Sequence, residues 1–430
     1  MTSRDSSPRA FLEELYRTAV AAAHPASCLP PHLPEPPAKG RLILLAAGKA
    51  AGAMIEVAEQ HYVGLGLPPA RMTGIAVARH GYGRPTRHIP VVEAGHPVPD
   101  AAGLAAAEKT LAIADSATAD DLVLVLISGG ASANWIAPAA GVTLEEKQAV
   151  TRSLLRSGAS IDEINCVRKH LSRLKGGRLA ALARPARVLT LGISDVPGDD
   201  PAIIGSGPTV PDPSTLAEAR AIAARRRLVM PDSVLRALND PANESPKPGD
   251  PIFADTEFRL IARPADALRA VEAKVRAAGY PCILLGDHVE GEARQVAAEH
   301  ARLAHEQQAS GKTAVILSGG ELTVTITGNG RGGPNQEYAL ALAPALGPGM
   351  AAVAADTDGT DGGGGSAEDP AGAYVDATTA TRAQALGLDP AAFLADNDST
   401  GFFSRLGDLL SPGPTYTNVN DFRAILVDGA

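Results

Sequence analysis

The sequence predicts an α/β protein of two domains, and three observations carry that expectation. Short apolar runs of strand length end repeatedly in glycine turns, as after 41–46, 122–127 and 314–317. The chain has 430 residues, more than one ordinary core absorbs. A Pro/Asn/Lys-rich stretch, NDPANESPKPGD at 239–250, has the composition of a linker. The boundary is expected there, with one domain over 1–245 and the second over 246–430.

Phe11, Leu12, Leu15, Tyr16 and Val20 have helical spacing across 9–24, and the proline-rich 27–39 leads into the first strand, 41–46. That strand breaks at Gly48 and Lys49 into a helix reaching Tyr62. Strand, glycine turn, lysine and helix outline an anion site, because the unpaired amides and dipole of a helix N-terminus favour negative charge. GxxxxGK[ST] is absent, so this is no Walker A loop, and a purely structural lysine is the competing reading of Lys49. Strands over 74–78 and 91–93 precede Gly95-His96-Pro97, which puts His96 on a stiff loop rather than an apolar face. A helix over 101–114 leads to the strand 122–127, which ends in Ser128-Gly129-Gly130-Ala131-Ser132. Open α/β sheets place ligands at such carboxyl ends. GxSxG is missing and no His/Asp pair is evident, so Ser132 and its neighbouring amides read as phosphate or carboxylate binders rather than as a nucleophile.

A helix over 144–157 comes before the most basic stretch of an acidic chain, holding Arg168, Lys169, Arg173, Lys175 and Arg178. A solvated helix face is the ordinary reading of a charge run. If it fails here, Arg168 and Lys175 are the cations expected to turn inward. A strand over 188–193 then ends in Ser194-Asp195-Val196-Pro197-Gly198-Asp199-Asp200. Like charges raise one another's pKa, so clustered aspartates call for a cation or a proton-transfer role. Asp195 is the candidate general base or magnesium contact, whereas Asp199 and Asp212 read as turn or cap residues.

Past the linker, strands over 256–261 and 281–285 alternate with helices over 264–278 and 292–308. The strand 314–317 breaks at Ser318-Gly319-Gly320; Glu321 follows, and then an alternating Thr/Val/Ile strand. Next comes GNGRGGPNQE, with Gly328, Gly330, Gly332 and Gly333 around Arg331, then Asn335 and Glu337. Such glycines permit unusual backbone angles and let main-chain amides approach an anion. Arginine's planar fork suits a phosphate or carboxylate; a hairpin whose arginine stays in solvent is the alternative. The strand 351–355 ends in Asp356-Thr357-Asp358-Gly359-Thr360-Asp361, which resembles part of a calcium loop but lacks the distal glutamate. A magnesium-nucleotide or polar-substrate loop remains. The Thr/Asn-rich 413–421, with Asn418 and Asn420, precedes the last strand, 422–427.

Composition narrows the function. A net charge of −9 argues against nucleic acid as the partner, since phosphate neutralisation needs a basic face, but leaves room for small anions. Three cysteines without a CxxC pair form neither a zinc site nor a disulfide framework. No apolar run reaches membrane-spanning length and the start lacks a signal-peptide core, so the cytoplasm is the expected address, with no membrane partner. Cations, carboxylates and small hydroxyls on strand-end loops, with aromatics at only 3 %, suit a cleft holding a polyanion and phosphoryl transfer within it.

The strings AAGKAAGAM, GHPVPD, SGGASA, ISDVPGDDPAIIGSGPTVPD, LSGGELTVTITGNGRGGPNQEYAL, DTDGTDG and GPTYTNVNDF resemble the glycerate 2-kinase family in order and over nearly the whole chain. The resemblance implies an N-terminal Rossmann-like three-layer α/β/α domain, a C-terminal mixed α/β MOFRL domain and an active site in the interdomain cleft. It implies transfer of the ATP γ-phosphate to the 2-hydroxyl of D-glycerate, with Mg2+ or another divalent cation. By motif, Lys49 is the active-site lysine, Asp195 the base or metal-organising carboxylate, and Arg331 the contact to phosphate or substrate. Gly48, Ser128, Gly129, Gly130, Ser132, His96, Glu321, Asn335, Glu337, Asp358, Asn418 and Asn420 are the expected binding residues, and Asp195 with Asp361 the expected metal ligands. Glycerate and ATP are the small-molecule partners, and a homodimer is the one protein assembly the reading allows. Some family members carry the name hydroxypyruvate reductase; a NAD(P)H-dependent reductase and a noncatalytic sugar-acid or nucleotide-binding protein are the alternatives. No GxGxxG supports dinucleotide binding. Two departures from the pattern are a longer segment at 362–370, suggesting an insertion, and Tyr416 where the family more often has glycine.

Overall fold

A computed structural model describes residues 7–362 and 366–429. It resolves into two compact units: one is Cys28–Ile261, and the other joins the chain up to Ser27 to the chain from Ala262 onward.

In the first unit lie β1 (Leu42–Ala47), β2 (Met72–Arg79), β3 (Val91–Ala94), β4 (Leu122–Ile127), β5 (Arg187–Ile193) and β6 (Thr256–Ala262). They form one sheet in the order β3-β2-β1-β4-β5-β6. β3, β2, β1, β4 and β5 are parallel neighbours. Every residue of β1 and β4 is buried, as befits strands covered by helices on both faces. Strand order reverses between β1 and β4, and the crevice outside the carboxyl ends of two such strands is the ligand position of doubly wound sheets. The core is aliphatic, with Ile43, Leu45, Val77, Val125 and Ile127 packed around Trp135.

The second unit contributes β7 (Cys282–Leu284), β8 (Val289–Glu292), β9 (Ala314–Ser318), β10 (Gly320–Thr323), β11 (Met350–Asp356), β12 (Gly372–Asp376), β13 (Leu409–Leu410) and β14 (Asp421–Val427). Six of these form a mixed sheet, β13-β12-β11-β14-β9-β7, in which β9 and β7 run parallel and the other pairs antiparallel. β8 and β10 form a separate parallel pair. The Thr/Val/Ile strand expected after Glu321 stops at Thr323.

Two expectations about the boundary are corrected. The helix Pro8–Ala23, capped by the Ser7 hydroxyl, belongs with the second unit. Its Phe11 ring packs 5.2 Å from Tyr280, and Tyr16 Oη donates to the Asp356 carbonyl at 3.0 Å. The linker-like 239–250 lies inside the first unit. Ser245 is buried and donates to Asp212 Oδ2 at 2.9 Å, while Glu244 accepts from the Leu216 amide at 3.0 Å. Pro/Asn/Lys-rich chain packs well when its side chains satisfy neighbouring backbone, so composition alone misplaced the boundary. Among the described residues no helix is long and apolar enough to cross a membrane, and no disulfide joins any of the three cysteines.

Candidate active site

The turns after β1 and β4 are woven together at the switch point. The Lys49 amide donates to the Gly129 carbonyl at 2.8 Å, and the Ala50 amide to Ser128 Oγ at 2.9 Å. Gly48 has φ +115°, and a side chain there would strike Ser128. Only glycine fits. A methyl group on Gly130 would meet His96 Cδ2 at 3.0 Å and Lys49 Cγ at 3.3 Å, so these three expected residues do converge. Asn134 holds the loop before His96 by donating to the Gly95 carbonyl at 3.2 Å. No side chain caps the helix Ala51–Gly64 that follows Lys49; its Ala51 amide donates to the Gly48 carbonyl at 3.1 Å, and the positive end of its dipole lies at this turn. Ser128, expected to bind ligand, is instead fully buried and spends its hydroxyl on the Ala50 amide.

Ser132 lies one turn further on. Its Oγ is 2.9 Å from Ser206 Oγ and accepts from Arg168 Nη2 at 2.6 Å and Lys175 Nζ at 3.3 Å. Arg168 and Lys175 thus turn inward, and the solvated-face reading fails for both. Asp195 leaves β5 at the same sheet edge, partly exposed, one strand beyond β4. Asp212 is structural, accepting from Lys169 at 3.3 Å and Ser214 Oγ at 2.8 Å.

In the second unit the glycine loop does something other than expected. Its amides are already taken: Gly328 donates to Asn397 Oδ1, Asn329 to Asp396 Oδ1, Gly330 to the Asp396 carbonyl and Arg331 to Asp398 Oδ1. None of Gly328, Gly330, Gly332 and Gly333 has a positive φ. A side chain at Gly330 would hit Asp398, and one at Gly332 would hit Ser399. The glycines exist so that two loops can touch, not to cradle an anion. Arg331 remains 69 % exposed at its side chain, with Nη2 3.4 Å from Asp369 Oδ1, beside a cavity of about 780 Å³ lined by Leu322, Ile326, Pro334 and Glu337. Of the longer segment at 362–370, residues 363–365 lie outside the described residues.

Other expected ligands here are fasteners. Glu337 is buried and pairs with Arg294 at 2.7 Å and Asn397 at 3.1 Å. Asn335 is buried and donates to Asp361 and Asp421. Asp358 accepts from the Thr360 amide, and Asn418 Oδ1 from the Asn420 amide. Asn420 has φ +63°, and its carbonyl accepts from Thr357 Oγ1 at 2.6 Å. Glu321 is exposed on β10, opposite Glu290. Asp361 is a poor metal ligand, because both oxygens accept from backbone and side-chain amides of Asn335 and Gln336. Burial drives its pKa up to about 7, against the pull of the Asn335 amide and with help from nearby Asp421. Among the described residues no three His, Cys, Asp or Glu side chains form a metal cluster.

Residues 11–239 match the family described as "Domain of unknown function (DUF4147)", and residues 314–421 match the MOFRL family. The chain is 39 % identical over 388 residues to D-glycerate 2-kinase of Thermotoga maritima, covering 89 % of each chain, and 37 % identical over 401 residues to glycerate 2-kinase of Pyrococcus horikoshii, covering 90 % of this chain and 88 % of that one. The crystal structure of glycerate kinase from Thermotoga maritima superposes with a TM-score of 0.86 at 36 % identity, covering 97 % of this chain and 99 % of that one. This chain belongs to the glycerate 2-kinase family. A protein of Agrobacterium vitis, named provisionally as a hydroxypyruvate reductase, is 46 % identical over 435 residues, covering 99 % of this chain and 96 % of it.

Within the glycerate 2-kinase framework, the sequence reading missed two groups. Arg423 is fully buried, bonded to Asp421 Oδ2 at 2.8 Å and to the Gly319 carbonyl, and Asp421 in turn holds Asn335. An arginine inside the apolar run DFRAILV was the available signal, since a buried charge demands a partner. Ser206, with φ +64°, lies in the quoted GSGP string but drew no role. Tyr416, where the family more often has glycine, has φ +58°, a conformation glycine adopts without strain.

Proposed function

We propose that this protein transfers the γ-phosphoryl group of ATP to the 2-hydroxyl of D-glycerate, giving 2-phosphoglycerate and ADP. The observation that carries the reading is the convergence of Lys49, His96 and Gly130 beside an uncapped helix N-terminus at the sheet's switch point. Phosphoryl transfer asks the protein for positioning and charge stabilisation. Lys49 supplies a cation to the transferred group, and Asp195 takes the proton of the attacking hydroxyl. Arg331 is the candidate cation of the second unit, its fork suited to a phosphate or carboxylate.

Magnesium is usually held by one or two carboxylates together with substrate phosphates. The turn after β5 fits that demand, because Asp199 Oδ1 is buried without a partner among the described residues, close in sequence to Asp195. Those two residues would hold the ion, which supplies neutralisation of the phosphate charge. Cytoplasmic ATP makes the cytoplasm the proposed setting.

The test is one assay with ATP, Mg2+ and D-glycerate, with the phosphoglycerate isomers resolved by NMR. The 2-isomer is the expected product; formation of 3-phosphoglycerate overturns the regiochemistry. The names of the Agrobacterium vitis relatives favour a second reading, reduction of hydroxypyruvate. NAD(P)H oxidation by hydroxypyruvate, without any ATP-dependent product, would sink the kinase reading.

A further inference from the structure

Sorting the cations of the basic stretch 168–178 and the adjoining Lys147 by their counter-charges leaves a surplus. Lys169 has Asp212 at 3.3 Å, and Arg173 has Glu108. Arg178 bonds the Ser172 and Asn243 carbonyls and feels the charges of Asp212 and Glu244. Lys147, Arg168 and Lys175 have no carboxylate within ion-pair distance among the described residues. Lys175 is wholly buried and donates to the Ser132 carbonyl at 2.7 Å and the Trp135 carbonyl at 3.1 Å. Lys147, 3 % exposed, donates to the Leu171 carbonyl at 2.6 Å. Arg168 is partly buried, and among the described residues its guanidinium hydrogen-bonds only Ser132, at Oγ and at the carbonyl.

Burying like charges together is costly unless an anion completes the set. The cost shows in the lysines: burial holds Lys175 and Lys147 well below the usual ammonium range, and Arg168 lowers both further. The surplus is centred on Ser132, two residues past Gly130, where an added Cβ would meet both Lys49 and His96.

We propose that Arg168, backed by Lys175 and presented by Ser132, is the specificity-determining cation that receives the carboxylate of the acceptor substrate. This rests on the kinase reading above and adds to it the reason an α-hydroxy acid, rather than a neutral polyol, is the acceptor. Lys175 fixes the Ser132 backbone, Ser206 fixes the hydroxyl, and Arg168 offers its remaining N–H groups in a planar fork. Lys175 and Ser132 are positioning residues. The donor's phosphates share the same anionic chemistry, so the test has to separate the two.

D-glycerate and a non-hydrolysable ATP analogue are titrated calorimetrically, each alone, into the full-length wild type and into Arg168→Gln, Arg168→Lys and Lys175→Met. The wild type is further compared with D-glyceramide, which keeps both hydroxyls and lacks the charge. A wild type that binds no D-glycerate refutes the kinase reading, and with it this inference. Given wild-type binding, Arg168→Gln is expected to weaken D-glycerate by about 10- to 100-fold, the range for a lost charge-assisted contact, with nucleotide affinity unchanged. Arg168→Lys should recover part of that loss, and the preference for D-glycerate over D-glyceramide should collapse in Arg168→Gln. Retained nucleotide binding shows that each variant is folded. Unchanged D-glycerate affinity in Arg168→Gln, or a loss confined to the nucleotide, overturns the proposal.

Discussion

The two units use their polar side chains in opposite ways. At the switch point of the first, lysine, histidine and arginine gather around turns fastened by backbone and serine hydroxyls. In the second, carboxylates and amides do the fastening: Asp396, Asn397 and Asp398 hold the glycine loop, and Asp361 and Asp421 hold Asn335. An acidic residue beside a glycine turn therefore has two physical meanings. In the first unit it can stand at a sheet edge available to substrate; in the second its oxygens are consumed by N–H groups of the next loop. Substitutions of these acidic residues should accordingly remove chemistry in one unit and stability in the other.

Asp195→Asn gives the largest expected effect, a fall in kcat of about 10²- to 10⁴-fold with nucleotide binding retained, as for loss of a general base. Steady-state kinetics beside calorimetry checks it, and equal losses in binding and turnover would place Asp195 among the fasteners. Arg423→Met strands Asp421 and should cost about 3–5 kcal/mol, the range for breaking a buried ion pair, read as a lowered denaturation midpoint. Gly332→Ala should cost about 1–3 kcal/mol through its collision with Ser399, although φ there is ordinary. An unaffected Gly332→Ala would mean the two loops separate readily.

Asp361 gives a pH signature. Its folded pKa near 7 lies above the 3.8 of an unperturbed aspartate, so the folded state holds the proton more tightly. Its contribution is fully present below pH 3.8 and is lost as pH rises to about 7. A carboxyl carbon resonance with a midpoint near 7 would confirm this, and an acidic midpoint would mean that the amide donors outweigh burial. The smallest effect belongs to Tyr416→Gly. Relief of the left-handed backbone, of order 1 kcal/mol, is offset by the extra chain entropy of glycine, so the midpoint should barely move.

Local pattern made the first unit legible. Strand, turn and helix are neighbours in sequence, so Gly48, Lys49, Gly130 and His96 could be found without knowing what they touch. The inward turn of Arg168 and Lys175 was foreseeable only as an exception to a charged helix face. Reading the second unit required long-range partners. Arg331 and the 396–398 segment meet across more than 60 positions of chain, as do Asn335 and Asp421, and no periodicity encodes such pairings. The glycines of the Arg331 loop were legible as special, but a close-approach glycine and an anion-cradling glycine are the same letter. Nor could composition reveal that Pro8–Ala23 packs against chain some 250 to 400 positions later.

That helix also sets an order of events during synthesis. It leaves the ribosome before any of the first unit, yet its packing partners are translated only after Ile261, and the strand carrying Phe422 comes among the last. The intervening Cys28–Ile261 unit can complete its own sheet while the helix waits with Phe11, Leu12 and Leu15 uncovered. A fragment beginning at residue 246 would lack the helix altogether and bare the surface it covers. Dissecting this protein cleanly means excising the middle and rejoining Ser27 to Ala262, rather than cutting the chain in two.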